Sequence, residues 1–286
     1  MIRLLSTLNY APEQKLGEED TIILPLLKEQ GIVHAISIGP GSQNMAGAYN
    51  HASDDLDTRE NTFLTKNHLE SLTMSYFSTV PEEDSPIIYD LITPNISKLA
   101  VRVPADVIFT KLTNTPLIHK PADCPTAVIL AKNDYSLILG LAHLGRPQVN
   151  KKVAERMVDH LIKSHKVKPQ DIFVGISPSI GPRNYFLKAK DQEKYHFIDE
   201  DYWDKFSHED LLENETIIRI DVLGKILSVL HSKGIPDQNI EAYGHEAPVD
   251  TFDLARQIPP LAFSHRYARS TNQPLKNGRM VVVAQL

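Results

Sequence analysis

The chain has 286 residues, of which 42% are hydrophobic and 23% charged. That is an ordinary globular mixture, long enough to bury a core without covalent staples. A net charge of −6, with no basic run and no basic patch interleaved with aromatics, argues against a nucleic-acid partner, though a few local cations could still hold a small anion.

The opening residues, MIRLLSTLNYAPEQKLGEED, have no long apolar run and turn acidic early, so no signal peptide is expected. Residues 1–30 read as a peripheral N-terminal segment of a single domain spanning 1–286. A single cysteine rules out an internal disulfide framework, and no apolar stretch approaches the length of a membrane span. The reducing cytoplasm is therefore the expected compartment, with no membrane partner.

GIVHAISIG at 31–39 is a compact apolar run ending in glycine, which predicts a buried strand. GPGSQNMAG at 39–47 predicts a loop. Residues 56–71 place Leu56, Phe63, Leu64 and Leu69 among charges and predict a surface helix. TVPEEDSP at 79–86 reads as an acidic loop. From 87 to 143 the pattern is strand-rich: IIYDLI, SKLAVRV, ADVIFT, CPTAVILA and SLILGLAH, punctuated by Pro104, Pro116, Pro121 and Pro125. Residues 149–164 put Val149, Val153, Met157, Leu161 and Ser164 on one helical face, widened by Val158 and Ile162, and predict one amphipathic helix.

DIFVGI at 171–176 predicts a strand, and 177–186 a turn-rich loop. Residues 190–216 are polar and acidic with three scattered aromatics, Tyr195, Tyr202 and Trp203, and read as a surface region. Residues 219–234 predict a second helix stopped by Gly234 and Pro236. NIEAYG at 239–244, then 259–268 and 278–286, read as strands. Strands outnumber helices without strict alternation, so the expected class is α+β, with mixed sheets flanked by helices.

Two short segments carry the chemistry. In PADC (121–124), flanking prolines limit regular structure and place Asp123 and Cys124 at a strand edge or tight turn. In AHLG, His143 ends an apolar strand just before a glycine turn into a helix. A thiolate and a neutral imidazole are both zinc ligands. They are equally a nucleophile and its base. The plain alternative is a small buried cysteine and a satisfied strand-end histidine.

Five segments in order resemble the laccase-domain family, also called the multicopper polyphenol oxidase or purine nucleoside phosphorylase (YfiH-like) family. They are HAISIGPGSQNMAG with NHASDDLDTREN, ADVIFT with PLIHKPADCPTAVILA, LILGLAHLGR, VGISPSIGPRNYF, and FSHRYARSTNQPLKNGRMVVVAQL. The resemblance implies a metal, zinc rather than copper, held by two histidines and a cysteine. Cys124 and His143 match two of those positions. Asn95 stands where the first family histidine is expected, and Asn is a poor zinc ligand. His119, His51 and His245 are the substitutes in view. Arg146-Pro147, Arg183, Asn184, Tyr267 and Gly244-His245 also depart from the family pattern, which marks a divergent member.

What the resemblance implies is phosphorolysis of purine nucleosides and deamination of adenosine, with a nucleoside and phosphate as small-molecule partners. In that reading Asp123 is an acid or base at the purine, Arg266 and Arg279 bind phosphate, and Asn44 bonds substrate or holds its own loop. The alternatives are a metal-independent Cys/His hydrolase or amidase acting on a cell-wall precursor, copper-dependent phenol oxidation, and an inactive binding relic.

Overall fold

The structure is a computed structural model, and it describes residues 2–5, 21–37, 54–69, 75–78, 85–93, 101–188, 200–243 and 279–286. Its layers follow from strand alternation. Strands β9 (Thr126–Asn133) and β10 (Ser136–His143) pair antiparallel from Ser136 opposite Asn133 to His143 opposite Thr126. Successive side chains of a strand face opposite ways. Ala127, Ile129, Ala131 and Ala142 join one apolar cluster, while Val128, Leu130, Leu139 and Leu141 join another.

Around this hairpin runs a seven-stranded sheet. Its order is β1 (Arg3–Leu5), β15 (Ile240–Tyr243), β11 (Ile172–Ile176), β9, β10, β7 (Val107–Thr110) and β5 (Ile88–Leu91). A six-stranded sheet holds β2 (Thr21–Ile22), β3 (Val33–Ser37), β16 (Val282–Gln285), β8 (Leu117–His119), β4 (Ser75–Ser78) and β6 (Val101–Pro104). Both sheets mix parallel and antiparallel pairs. Ile22, Ile36, Leu117 and Val282 from the smaller sheet pack with Ile108, Val128, Leu139 and Leu141 from the larger one. Each such side chain contributes about 1.5–3 kcal/mol on burial, so this layer holds the two sheets face to face.

Helices cover the outer faces. Helix α4 (Val153–His165) and helix α6 (Val222–Ser232) bury Met157, Leu161, Ile226 and Leu230 against the seven-stranded sheet. The Asp221 side chain caps α6 by accepting from the Gly224 N–H at 2.8 Å. Helix α2 (Asp54–Lys66) lays Phe63 and Leu64 on Ile118 and Val283 of the other sheet and on Val281 just before it. The mixed α+β class read from the sequence is thus the class of the structure.

Several details differ from the sequence reading. The helix expected over 149–164 is two: α3 (Arg146–Asn150), then α4, separated by Lys152 in a left-handed conformation (φ 60°). Val149 and Val153 are both buried, so the apolar stripe runs across the break and hides it. The helix expected over 56–71 ends at Lys66, and the helix expected from 219 begins at Val222, because Arg219 and Ile220 finish a strand.

The stretch read as a surface region contains α5 (Glu200–Trp203) and a hairpin of β13 (Ser207–Leu212) and β14 (Glu215–Ile220), joined by β12 (Phe186–Lys188) in a three-stranded sheet. Trp203 is fully buried, and its indole N–H donates to Asn150 Oδ1 at 2.7 Å. Nor is the N-terminal segment peripheral throughout. Leu24 and Leu27 are fully buried, and α1 (Pro25–Glu29) docks on the bare backbone of Gly175, where a Cβ would lie 2.8 Å from Leu24. The carboxylate of buried Glu241 accepts from the Leu26 and Leu27 N–H groups, satisfying donors that a helix start leaves open. The expected loop at 39–47 and strand at 259–268 lie outside the described residues.

Candidate functional site

Both chemical segments sit at one end of the central hairpin. The loop 120–125 joins β8 to β9 and is fastened on several sides. Pro121 O accepts from Met280 N at 2.8 Å, Asp123 O from Ile180 N at 2.9 Å, and Pro125 O from Leu144 N at 2.9 Å. Thr126 N donates to Ser177 Oγ at 3.0 Å. Hydrogen-bonded backbone of this kind holds a side chain in place without a helix or strand.

His143 is the last residue of β10, opposite Thr126, and Cys124 lies two residues before Thr126. The two side chains converge over Gly145, the residue that caps α3. A Cβ on Gly145 would stand 2.7 Å from Cys124 Sγ, 3.1 Å from His143 Nε2 and 3.0 Å from Gln148 Oε1. Three polar atoms therefore share the space that glycine leaves open. Gln148 is itself placed by its amide, which reaches Asp106 Oδ1 at 3.4 Å. His119, at the end of β8, adds a second imidazole. Its ring centroid is 4.8 Å from that of His143, and its Nδ1 is 2.7 Å from Thr126 Oγ1.

Burial governs the electrostatics. It pushes the Cys124 thiol up to about 12, helped by the neighbouring Asp123 carboxylate and opposed by Arg279 and Arg146. Burial also brings His143 down to about 4, and it lowers His119 well below the ordinary histidine value, with His143 and Arg279 adding to that effect. At neutral pH this is a neutral thiol facing neutral imidazoles. Such a pair is a poor ready-made thiolate–imidazolium nucleophile. It is a suitable borderline-soft donor set, because a divalent cation drives off the thiol proton.

Cys124 Sγ and His143 Nε2 fit two corners of the cysteine–histidine set. Among the described residues, no set of three His, Cys, Asp or Glu donors within 4.8 Å of one another includes Cys124 or His143. Asn95, His51, His245, Asn44 and Arg266 lie outside the described residues. Asp123 and Arg279 are at the site, close enough to move the charge on Cys124. Arg146, read from the sequence only as a departure, is there too, with its Nε donating to Tyr185 OH at 3.0 Å.

The sequence reading took Gly145 only as a turn residue and missed its close approach to the site, and it missed Gln148 altogether. It also missed a compact donor cluster elsewhere, Asp90 with His160 and His165, which could hold a metal. Asp90 is 70 residues from His160 in sequence, so no local motif announces that cluster.

Fold and site together define an α+β protein of stacked mixed sheets with a half-buried cysteine–histidine centre at the strand ends. The chain belongs to the family described as multi-copper polyphenol oxidoreductase laccase, whose model matches residues 44–286. Solved structures agree on the fold. The hypothetical protein YfiH of Bacillus licheniformis superposes with a TM-score of 0.68 at 19% identity, over 90% of this chain and 93% of that one. YlmD of Geobacillus stearothermophilus gives 0.62 at 19% identity, over 89% and 92%. Neisseria meningitidis protein NMB0706 gives 0.61 at 15% identity, over 93% and 98%. No protein of curated function matches the chain in sequence. Among the described residues, no helix is long and apolar enough to cross a membrane.

Proposed function

We propose that this chain is a zinc-dependent enzyme of purine nucleosides, with Cys124 and His143 as two of the metal donors. The observation that carries the reading is the meeting of Cys124 Sγ and His143 Nε2 over Gly145, in a half-buried site flanked by arginines. Zinc held there would supply a Lewis acid and an acidified water.

The protein's own groups have separate tasks in this reading. Arg279 binds phosphate, assisted by Arg146 and by Arg266 from the same C-terminal segment; guanidinium groups suit that anion. In phosphorolysis a phosphate oxygen bonds to the ribose C1′ as the bond from C1′ to the purine nitrogen breaks, and the departing purine takes up a proton. In this reading Asp123 exchanges that proton, and Asn44 hydrogen-bonds the substrate. Deamination of adenosine is the companion activity.

A free cysteine nucleophile is the weaker reading. A thiol pushed up to about 12 and an imidazole at about 4 oppose the charged pair it needs.

The test is elemental analysis for zinc and copper on the purified protein beside Cys124→Ala, with inosine and adenosine assayed with and without phosphate. The variant should lose one equivalent of zinc. Its phosphate-dependent release of purine base should fall by about a hundredfold or more. Equal zinc in both proteins would reject the metal assignment. Rapid alkylation of Cys124 at neutral pH without prior chelation would move the reading to a cysteine hydrolase, whereas labelling only after chelation supports bound zinc.

A further inference from the structure

We infer that Asp90, His160 and His165 form a second, three-ligand site for a zinc-class divalent cation, separate from the Cys124–His143 centre. Asp90 lies on β5, the edge strand of the seven-stranded sheet, and both histidines lie at the C-terminal end of α4. Asp90 Oδ2 is 3.0 Å from His160 Nε2, and Asp90 Oδ1 is 3.0 Å from His165 Nε2. All the donor atoms fall within 4.8 Å of one another. Around a tetrahedral ion with bonds of about 2.0–2.1 Å, neighbouring donors are about 3.3 Å apart. Both Asp90–His distances are therefore within a few tenths of an ångström of a bound geometry, and the two imidazole donors stand no more than 4.8 Å apart.

The surroundings fix the rings in the right sense. Phe109 stacks on His160 at 5.8 Å with an 8° interplanar angle, and meets His165 edge-on at 6.2 Å. That phenyl ring lies over Gly140, where a Cβ would be 2.5 Å away, so the backbone is bare to admit it. Ser164 Oγ lies 3.4 Å from His160 Nδ1, on the far side of the ring from Asp90. Such partners orient a metal-binding imidazole and leave Nε2 as its ligand atom.

The fourth position has somewhere to open. Asp90 and His165 also line a cavity of about 200 Å³ whose walls include Leu91, Phe109, Leu112 and Ile138, with Lys111 beside them. Two imidazoles, one carboxylate and an open fourth position form the donor set of zinc sites that keep a water or take an exogenous ligand. The competing arrangement is metal-free, with both Nε2–H groups donating to Asp90. The two differ in whether the nitrogen lone pairs are available.

Cobalt(II) titration of the Cys124→Ala protein decides between them, because that background removes the thiolate site and leaves the outcome independent of the proposed activity. One equivalent of cobalt should bind, giving visible ligand-field bands without thiolate charge transfer, and zinc should displace it. His160→Asn, His165→Asn and the near-isosteric Asp90→Asn, each in that background, should weaken binding by more than about a hundredfold. Circular dichroism would establish that each is folded. No bound equivalent in Cys124→Ala, or unchanged affinity in the folded Asp90→Asn variant, would overturn the site.

Discussion

The Lys120 ammonium lies 2.5 Å from the Glu60 carboxylate, and both side chains are almost wholly buried, at 4% and 9% exposure. The pair ties α2 to the loop that follows His119 and leads to Cys124. Breaking a buried pair strands one charge away from water, which costs about 3–5 kcal/mol. Glu60→Ala or Lys120→Ala should each lower the unfolding free energy by about that much in urea titrations. The double replacement Glu60→Leu with Lys120→Met should cost much less. Single variants within about 1 kcal/mol of the parent would show that the pair is not desolvated in solution.

Three histidines, buried His34 and His119 and half-buried His143, are held below their ordinary value, chiefly by desolvation. His34 is committed to the neutral form by geometry as well. Its Nε2 accepts from Leu24 N at 2.8 Å, and its Nδ1 donates to Ile32 O at 2.9 Å. Below pH 6.5 the unfolded chain takes up protons that the folded chain does not. Stability contributed by these rings is complete above that pH and is lost as pH falls toward the folded value, about 4 for His143. Metal-free protein should lose about 1.4 kcal/mol per pH unit for each such histidine in that window. His143→Gln should flatten the slope, and an equal slope in parent and variant would refute the assignment.

Gly145 makes the Cys124–His143 centre testable without removing either side chain. Its backbone (φ −62°, ψ 164°) suits alanine, but the added methyl would crowd Cys124 Sγ and His143 Nε2. Gly145→Ala should keep the far-ultraviolet circular dichroism of the parent and weaken zinc binding at this centre by at least tenfold. Calorimetric titration would measure it, and parental affinity would mean that the space over Gly145 is not where the metal sits.

How much of this was legible in the sequence depended on how local each signal is. Alternation and apolar runs located β3, β9, β10, β11 and β15 within a residue or two, because a strand buried on both faces needs nothing from afar to announce itself. The amphipathic stripe found α4 and α6 for the same reason. It could not register the break at Lys152, since a left-handed residue can join two helices without shifting which face is apolar. Trp203 was misread because its polar neighbours describe the surface of α5 and not the Asn150 contact that buries the indole. Cys124 and His143 stood out in the local segments PADC and AHLG, and the order of five family-like segments gave them their expected ligand roles. Gln148 and the Asp90–His160–His165 cluster depend on where a turn and an edge strand end up, which no spacing encodes.

One consequence of the strand order concerns timing. Strand β16 pairs with β3 on one side and β8 on the other, and it follows every other described element in the chain. While the polypeptide is being made, the inner edges of β3 and β8 wait with their backbone groups open, the kind of edge that recruits wrong partners. Met280, just ahead of β16, supplies the N–H that fastens Pro121, so the loop bearing Cys124 waits as well. A nascent chain released before residues 280–285 would be an aggregation hazard without a finished Cys124–His143 site, and maturation of that site is coupled to completion of the sheet beneath it.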